Sequence, residues 1–349
     1  MRWVLFLFAL TAYAAPCTVA NSACTEWISV SGSPERLLLY RSYPIDTKNS
    51  AIKRALVLVH GGARDADSQF RSALAAGFLA GALDDTIILA PRFSSNRRNT
   101  QCQDRLATDE ANWGCADGQP DSWRNGAAAI GNDSLTSYDF ADEILRKLAR
   151  KDVFPNLKAI VMAGHSGGGQ FALRYAMSNQ VHDKLDISIT YLVSNPDALV
   201  YLNALRPTAA AYPVSAAAPG FVPPAPAAAF MLFPDGGNCA AYDNWPYGLL
   251  HRTGYTARLT DDQLRRQLTS RHITYLLGGL DILPIEGFDQ SCPAMAQGPT
   301  RLARGYAFAE YLNAEFGIKD SVIVVPTCGH DSRCMFTAEQ ALQIIFPKE

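Results

Sequence analysis

The chain has 349 residues, of which 48% are hydrophobic and 18% are charged, and its formal net charge at pH 7 is −2. This composition suits a globular protein with a large core, and the near-neutral charge argues against nucleic acid or an anionic membrane surface as a partner. Because α/β folds of this size are often single domains with insertions, we expect one domain over residues 15–349, with insertions near 92–134 and 207–250.

The N-terminus predicts a signal peptide over residues 1–14. A single arginine supplies a minimal positive region, an apolar run too short to span a bilayer follows, and an A-x-A cleavage site ends at Ala14. A lipoprotein interpretation of Cys17 is disfavoured, because Pro16 stands where lipid modification needs a small residue. A peripheral or buried N-terminal helix is the alternative. We therefore expect a secreted or periplasmic protein without a stable membrane anchor.

The chain contains eight cysteines, and an even number in an exported protein suggests four disulfides. The count alone leaves the pairing open. Sequence proximity favours three pairs and leaves a fourth, so we expect Cys17–Cys24, Cys102–Cys115, Cys328–Cys334 and Cys239–Cys292. A metal site at Cys328, His330 and Cys334 would lack a second ligand cluster, and we expect no bound metal.

The first part of the chain alternates strand-like and helix-like segments. Short apolar runs predict strands over 36–40, 55–59 and 86–90, and a helix is expected from about 68 to 83. Residues 92–134 are polar and rich in Gly, Asn and Asp, which predicts a long loop held by the Cys102–Cys115 disulfide.

The same alternation continues to the C-terminus. The predicted elements are a helix over 137–151 with Ser137 as its N-cap, a strand over 157–163, a helix over 170–177, a strand over 187–193, a Pro- and Ala-rich insertion or lid over 207–229, a strand over 273–277, a helix over 301–316, a strand over 322–325 and a helix over 337–345. Alternating strands and helices predict a mostly parallel sheet covered on both faces. Ligand sites in such sheets lie at the carboxyl ends of the strands.

The stretch from Gly164 to Gly168 has the pattern G-x-S-x-G, with Ser166 at its centre. A strand-like run precedes it and a helix-like run follows it, which is the context that this motif requires. A serine on so sharp a turn is strained and exposed, and glycines flank it because side chains there would collide with the crossing strand and helix. Ser166 is therefore the candidate nucleophile.

A serine nucleophile needs a base within hydrogen-bond reach, and the base needs an orienting carboxylate. Ser166, Asp281 and His330 each follow a predicted strand, in the order Ser, Asp, His. Among six histidines, His330 is favoured as the base because it stands just beyond the last strand. His60 directly follows a strand and would shape an oxyanion loop. His165 lies inside the turn, and we expect its side chain to point away from the reactive face.

The acid has alternatives that the sequence leaves open. Asp281 is favoured, Asp197 after the preceding strand is its main rival, and Asp289 and Glu286 are further options. Each could equally be an ordinary solvated carboxylate.

Two backbone N–H groups are needed to bind the oxyanion that forms on acyl attack. We expect the first from Gly167, directly after the nucleophile, and the second from the His60-Gly61-Gly62 loop, at Gly62.

Aromatic residues concentrate in the predicted loops rather than in the core runs. They either line an acyl or aryl pocket or serve as peripheral packing. We take Phe93, Trp113, Trp245 and Tyr247 as candidate pocket residues; Trp123 and Tyr242 have the same character.

The chain resembles the α/β-hydrolase superfamily, within the carboxylic ester hydrolases, over most of residues 36–347. The motifs that carry the resemblance are His60-Gly61-Gly62, Gly164-His165-Ser166-Gly167-Gly168, Gly279-Leu280-Asp281 and Cys328-Gly329-His330-Asp331. The resemblance implies an eight-stranded, mostly parallel sheet and no required cofactor. It implies no particular substrate, since the superfamily also holds peptidases, lipases and inactive binding proteins. The oxyanion loop has two glycines, where HGGG lipases and esterases have three.

The sequence thus favours a secreted serine hydrolase that cleaves a small or polymeric carboxylic ester through an acyl-enzyme on Ser166. A serine peptidase or amidase with the same residues is one alternative. A catalytically silent binding protein of the same fold is another.

Overall fold

The computed structural model describes residues 15–97, 100, 102–116, 118–119, 121–208, 230–233, 238–285 and 287–347. The predicted signal peptide and nearly all of the predicted insertion at 207–229 lie outside the described residues. Within the described part, an eight-stranded sheet forms the centre and helices cover it.

Eight strands form the main sheet: β1 (Thr25–Ser29), β2 (Arg36–Arg41), β3 (Arg54–Val59), β4 (Thr86–Arg92), β7 (Ala159–His165), β8 (Ser188–Ser194), β11 (Ile273–Gly278) and β12 (Ser321–Val325). Two short pairs lie outside it: β5 (Ala128–Ala129) with β6 (Asn132–Thr136), and β9 (Leu205–Pro207) with β10 (Phe230–Leu232).

The strand order of the main sheet is β1-β2-β4-β3-β7-β8-β11-β12. Strand β2 runs antiparallel to both of its neighbours, and the remaining pairs are parallel. The prediction of an α/β fold with an eight-stranded, mostly parallel sheet is confirmed. The parallel strands all end at one edge, and the candidate site residues follow them there.

The helices are α1 (Ala66–Leu79), α2 (Ser137–Leu148), α3 (Gly167–Ser178), α4 (Asp261–Ser270), α5 (Cys292–Met295), α6 (Arg301–Phe316), α7 (Ser332–Thr337) and α8 (Glu339–Ile345). The start of α2 shows why a helix begins where it does. The Thr136 side chain accepts a hydrogen bond from Asp139 N, and the Asp139 carboxylate accepts one from Thr136 N, which is a reciprocal capping box. The N-cap is therefore Thr136 rather than the predicted Ser137.

Two apolar cores lie on opposite faces of the sheet, because successive strand residues point to opposite sides. In β3, Leu56 and Leu58 pack in the core that α1, α7 and α8 cover. Their neighbours Val57 and Val59 pack in the larger core with α2, α3 and α6. A central strand that is buried on both faces has a continuous run of apolar residues in the sequence, and this run allowed β3 to be predicted.

Several elements differ from the prediction. Strand β1, the short strands β5 and β6, and helix α4 fall in stretches where we predicted no element. Helix α1 begins and ends earlier than predicted. The helix predicted over 337–345 corresponds to α8, and α7 is an additional helix that ends before Ala338, which has extended backbone angles. Edge and surface elements expose one face to water, so their apolar pattern is weaker than that of the central strands.

The cysteines pair in the four combinations predicted, with Cα–Cα distances of 5.6, 6.3, 5.9 and 5.8 Å for Cys17–Cys24, Cys102–Cys115, Cys239–Cys292 and Cys328–Cys334. Four disulfides are typical of a protein in an oxidising extracellular compartment. Across the described residues, no helix has both the length and the apolarity needed to cross a membrane.

Candidate active site

Ser166 stands on the turn between β7 and α3, in a backbone conformation that is strained for a residue with a side chain (φ 57°, ψ −120°). The chain can make this turn because the flanking residues are glycines. A Cβ at Gly164 would collide with the backbone of Gly168, and a Cβ at Gly168 would lie 2.7 Å from the carbonyl oxygen of His60. The turn lifts Ser166 to the edge where the parallel strands end.

Ser166 opens into a cavity of about 530 Å³, and His330 lines the same cavity. The predicted loop at 92–134 contributes to its wall through the Cys102–Cys115 disulfide, Ala116 and Arg124. The long loop therefore helps to shape the site.

His330 and Asp281 form a close pair beside this cavity. Asp281 follows β11, His330 follows β12, and the distance from His330 Nδ1 to Asp281 Oδ2 is 2.7 Å. Both side chains are nearly fully buried. Because the carboxylate accepts from Nδ1, the Nε2 atom of the ring remains as the position that can take a proton.

The rival acid, Asp197, lies next to Ser166. Ser166 Oγ donates to Asp197 Oδ2 at 3.5 Å, and no hydrogen bond joins Ser166 to His330 among the described residues. The fully buried Arg301 donates to both carboxylates, at 2.5 Å to Asp197 and 3.4 Å to Asp281. The structure thus places Asp281, not Asp197, against the imidazole, and it places Asp197 against the serine.

Asp289, the remaining candidate acid among the described residues, bonds to groups other than His330. Asp289 accepts from the Tyr247 hydroxyl at 2.7 Å and from Ser291 N at 2.9 Å. Glu286 lies outside the described residues.

The structure describes both residues predicted to donate to the oxyanion. Gly167 is the first residue of α3, and Gly62 lines the cavity from the loop after β3. This loop is braced by the fully buried His60, whose Nδ1 lies 2.9 Å from Gly61 O and whose Nε2 accepts from Phe93 N at 2.9 Å. These bonds fix the neutral tautomer with its proton on Nδ1, and burial lowers the pKa of His60 to about 3.

The prediction for His165 is wrong. Its ring lies 4.5 Å from the ring of His330, centre to centre, and it lines the cavity instead of pointing away from it. Burial, together with the charge of His330, lowers its pKa well below the ordinary value. His165 is therefore a neutral ring packed against the candidate base.

A buried amide that the sequence analysis missed joins the loops of the site. Asn195 Oδ1 accepts from Gly278 N at 2.7 Å, and its Nδ2 donates to Gly329 O at 3.1 Å and lies 3.4 Å from His165 Nε2. It adopts the left-handed backbone (φ 42°) that asparagine tolerates better than most residues. Asn195 thus links the nucleophile strand to the segments that carry Asp281 and His330.

The four aromatic residues predicted for the pocket are not among the described residues that line this cavity. Phe93 and Trp113 are fully buried in the core, and Phe93 packs against Phe171 of α3 at 4.8 Å between ring centres. Trp245 and Tyr247 are also buried. This placement argues against the predicted pocket: a loop with so many aromatic residues folds back on the sheet to bury their carbon surface.

Arg124 and Arg301 are further residues of the site that no sequence pattern marks. Both are isolated arginines in unremarkable stretches, and each reaches the site through a contact distant in sequence. In the described residues, no group of three side chains is arranged to hold a metal ion, and Cys328 and Cys334 are joined in a disulfide.

Two solved structures with a similar fold have low sequence identity to this chain. LpqC, a poly(3-hydroxybutyrate) depolymerase from Bordetella parapertussis, is 19% identical with a TM-score of 0.58, and the match covers 90% of this chain and 84% of that one. Poly(aspartic acid) hydrolase-1 from Sphingomonas sp. KT-1 is 17% identical with a TM-score of 0.56, and the match covers 92% of this chain and 97% of that one. At these identities the likeness shows the fold alone.

The comparison with protein families is more decisive. No curated protein sequence matches the chain. The model of the alpha/beta hydrolase family matches residues 56–343, a span that contains Ser166, Asp281 and His330. The chain belongs to the alpha/beta hydrolase family.

Proposed function

We propose that the protein is a secreted serine hydrolase that cleaves carboxylic esters through an acyl-enzyme on Ser166. The observation that carries the proposal is the pair of His330 Nδ1 and Asp281 Oδ2, 2.7 Å apart, at the same cavity as a serine on a strained turn. Strained nucleophiles and buried acid–base pairs at one cavity are the combination that acyl transfer requires.

In the first step, Ser166 Oγ attacks the ester carbonyl carbon and its proton passes to His330 Nε2. Asp281 holds the ring through Nδ1 and stabilises the imidazolium that forms. The backbone N–H groups of Gly62 and Gly167 bind the negative oxygen of the tetrahedral intermediate. Collapse breaks the bond to the alcohol oxygen, which takes the proton from His330 and leaves.

In the second step, water attacks the acyl-enzyme while its proton passes to His330. The intermediate collapses with return of that proton to Ser166 Oγ, which releases the acid and restores the free enzyme. In this structure the serine hydroxyl points to Asp197, so a rotation of its side chain toward His330 precedes attack. Catalytic hydrogen bonds are often loose in a free enzyme and tighten when substrate binds.

Labelling with a fluorophosphonate probe tests the nucleophile directly. We expect stoichiometric labelling of the wild type and none of Ser166→Ala. Ser68 lines the same cavity, so Ser68→Ala is the matched control and should label normally. Absence of labelling in the folded wild type would overturn the serine hydrolase proposal and favour a silent binding protein.

A panel of esters and peptide anilides then decides between the two hydrolase classes. We expect turnover of the esters to exceed that of the anilides. Faster cleavage of the anilides would favour the peptidase or amidase alternative.

For the location, we expect the protein recovered outside the cytoplasm to begin at residue 15, which N-terminal sequencing of the exported protein checks.

A further inference from the structure

The cavity beside Ser166 is polar, which is unusual for a pocket that holds an acyl chain. Its described lining consists of glycine, alanine, a disulfide, imidazole rings and hydrogen-bonding or charged side chains, with no large aliphatic side chain and no phenyl, phenol or indole ring. Pockets for apolar ligands are lined mostly by such side chains. The described wall therefore offers little apolar surface to a simple hydrocarbon chain.

In this wall, Arg124 lies beside the two glycines that we propose as oxyanion donors. Its guanidinium fills the space that side chains at two neighbouring glycines would occupy. A Cβ at Gly62 would lie 2.9 Å from Arg124 Nη2, and a Cβ at Gly167 would collide with Nε. Since these glycines are the proposed oxyanion donors, the guanidinium lies next to the position of the ester carbonyl.

The guanidinium is held in place. Arg124 is 4% exposed, its Nη1 donates to Cys115 O at 3.1 Å, and it lies over the Trp123 ring at 5.2 Å from the ring centre. A rigid arginine loses little conformational entropy when it donates to a ligand.

Two other charged groups of the described lining, Arg64 and Asp197, form ion pairs. Arg64 donates to both oxygens of Asp104, at 2.7 and 3.2 Å, and Asp197 is bound by Arg301. Asp65 and Asp331 are the remaining acidic residues of the described lining, and they limit the attraction for a negatively charged substrate. A neutral oxygen acceptor suits this balance of charge better than an anion.

We propose that Arg124 determines substrate specificity by donating a hydrogen bond to a second oxygen, a carbonyl or hydroxyl, carried by a short acyl group a few atoms from the scissile carbonyl. The inference rests on the proposed ester hydrolysis. It names the substrate class as short, oxygen-bearing acyl esters rather than esters of simple fatty acids.

Two isosteric esters test the inference. Methyl levulinate carries a ketone oxygen where methyl 4-methylpentanoate carries a methyl group, and hydrolysis of both can be followed by titration of the released acid. We expect kcat/KM to favour the levulinate by roughly tenfold or more, the effect of one hydrogen bond from a charged donor. Arg124→Met should abolish this preference by slowing the levulinate selectively.

Two further variants control for the loss of charge and for folding. Arg97 lies in the same loop, pairs with Asp121 at the surface and is not part of the described cavity wall. Arg97→Met should therefore keep the full preference. Arg124→Lys keeps a cation and a donor and should retain part of it, which gives a result even if Arg124→Met does not fold.

Binding of the intact esters to Ser166→Ala, measured by calorimetry, separates the inference from the proposed function. A preference for levulinate that Arg124→Met removes would support the inference even if the wild type hydrolysed neither ester. Equal binding and equal turnover of the two esters would overturn it, with ester hydrolysis still established. Equal slowing of both esters in Arg124→Met would also overturn it, because that result indicates a general catalytic or structural role.

Discussion

The turn that carries Ser166, the candidate nucleophile turn, and the loops that carry Asp281 and His330, the candidate acid–base loops, are two regions of one site that are built in different ways. The residues that define the turn, Gly164, Ser166 and Gly168, lie within five residues of one another, although Gly168 also packs against the backbone of His60. The acid and the base lie 49 residues apart, and Asn195 and Arg301 hold their loops from other parts of the chain.

Steric exclusion maintains the turn, whereas hydrogen bonds hold the acid–base loops. The turn persists because any larger side chain at its glycines would collide with the backbone. A substitution there should therefore disrupt the whole turn rather than weaken it partially. The acid–base loops depend on a few polar contacts, each of which can be removed with a measurable and partial loss. The two regions should therefore respond to substitution in different ways.

The largest effect is expected from Asp281→Asn. The amide cannot stabilise the imidazolium or hold the correct tautomer, so kcat for ester hydrolysis should fall by about 10⁴-fold. Asp197→Asn is the matched comparison, and it should lower kcat by less than about tenfold while it destabilises the buried Arg301. A greater loss of kcat in Asp197→Asn than in Asp281→Asn would assign the acid to Asp197.

The next largest effect is expected from Gly168→Ala at the turn. The added methyl would meet the carbonyl oxygen of His60 at 2.7 Å, so the free energy of unfolding should fall by about 3 kcal/mol or more. Gly317→Ala has a positive φ but open space, and it should lose only about 1 kcal/mol. Urea denaturation measures both. Similar losses in the two variants would show that collision does not maintain the turn.

A smaller effect on catalysis is expected from Asn195→Ala, which releases the loops of the acid and the base. Displacement of the imidazole should lower kcat by roughly 10- to 100-fold, with KM changed by less than about threefold. Asn179 is the matched control, since its buried amide also bonds Tyr175 O and Tyr191 Oη but lies away from the site. Asn179→Ala should lose stability and keep kcat. Equal kcat losses in the two variants would contradict a positioning role for Asn195.

The smallest effect concerns pH and the loop that carries Gly62. Folding lowers the pKa of His60 from 6.5 to about 3, so between these values the unfolded chain binds more protons than the folded one. Stability is therefore full above pH 6.5 and is lost as pH falls toward 3. In His60→Gln, the slope of unfolding free energy against pH should decrease by up to about 1.4 kcal/mol per pH unit in this range.

Urea titrations between pH 7 and pH 4 measure this slope. His272 is exposed, and His272→Gln should leave the slope of the wild type unchanged. The buried His165 also has a lowered pKa and should maintain part of the acid sensitivity in His60→Gln. An unchanged slope in His60→Gln would show that His60 does not remain neutral in the folded protein.

The sequence predicted best where its pattern has a local physical cause. Central strands such as β3 and β7 are buried on both faces and show as apolar runs, and the glycines around Ser166 mark a turn that few other residues can form. The cysteine pairs were predicted correctly because three of them close short loops, which left one remaining pair.

Prediction failed where a residue's role depends on distant neighbours. The aromatic residues of the 92–134 loop were expected either at the pocket or in peripheral packing, and Phe93 and Trp113 were chosen as pocket candidates, but the fold directs both into the core. His165 was expected to face away, yet the loop after β12 brings His330 to within 4.5 Å of its ring. Neither placement leaves a local signal, because the partners are far away in the chain.

The amino-acid sequence by itself determined the sheet, the nucleophile turn and the order of Ser166, Asp281 and His330, since strand burial and glycine geometry act over a few residues. Only the tertiary structure decided that Asp281 rather than Asp197 meets the imidazole, that Asn195 joins three loops, and that Arg124 lies against Gly62 and Gly167. These contacts join residues tens of positions apart, so they depend on how the ends of the parallel strands come together.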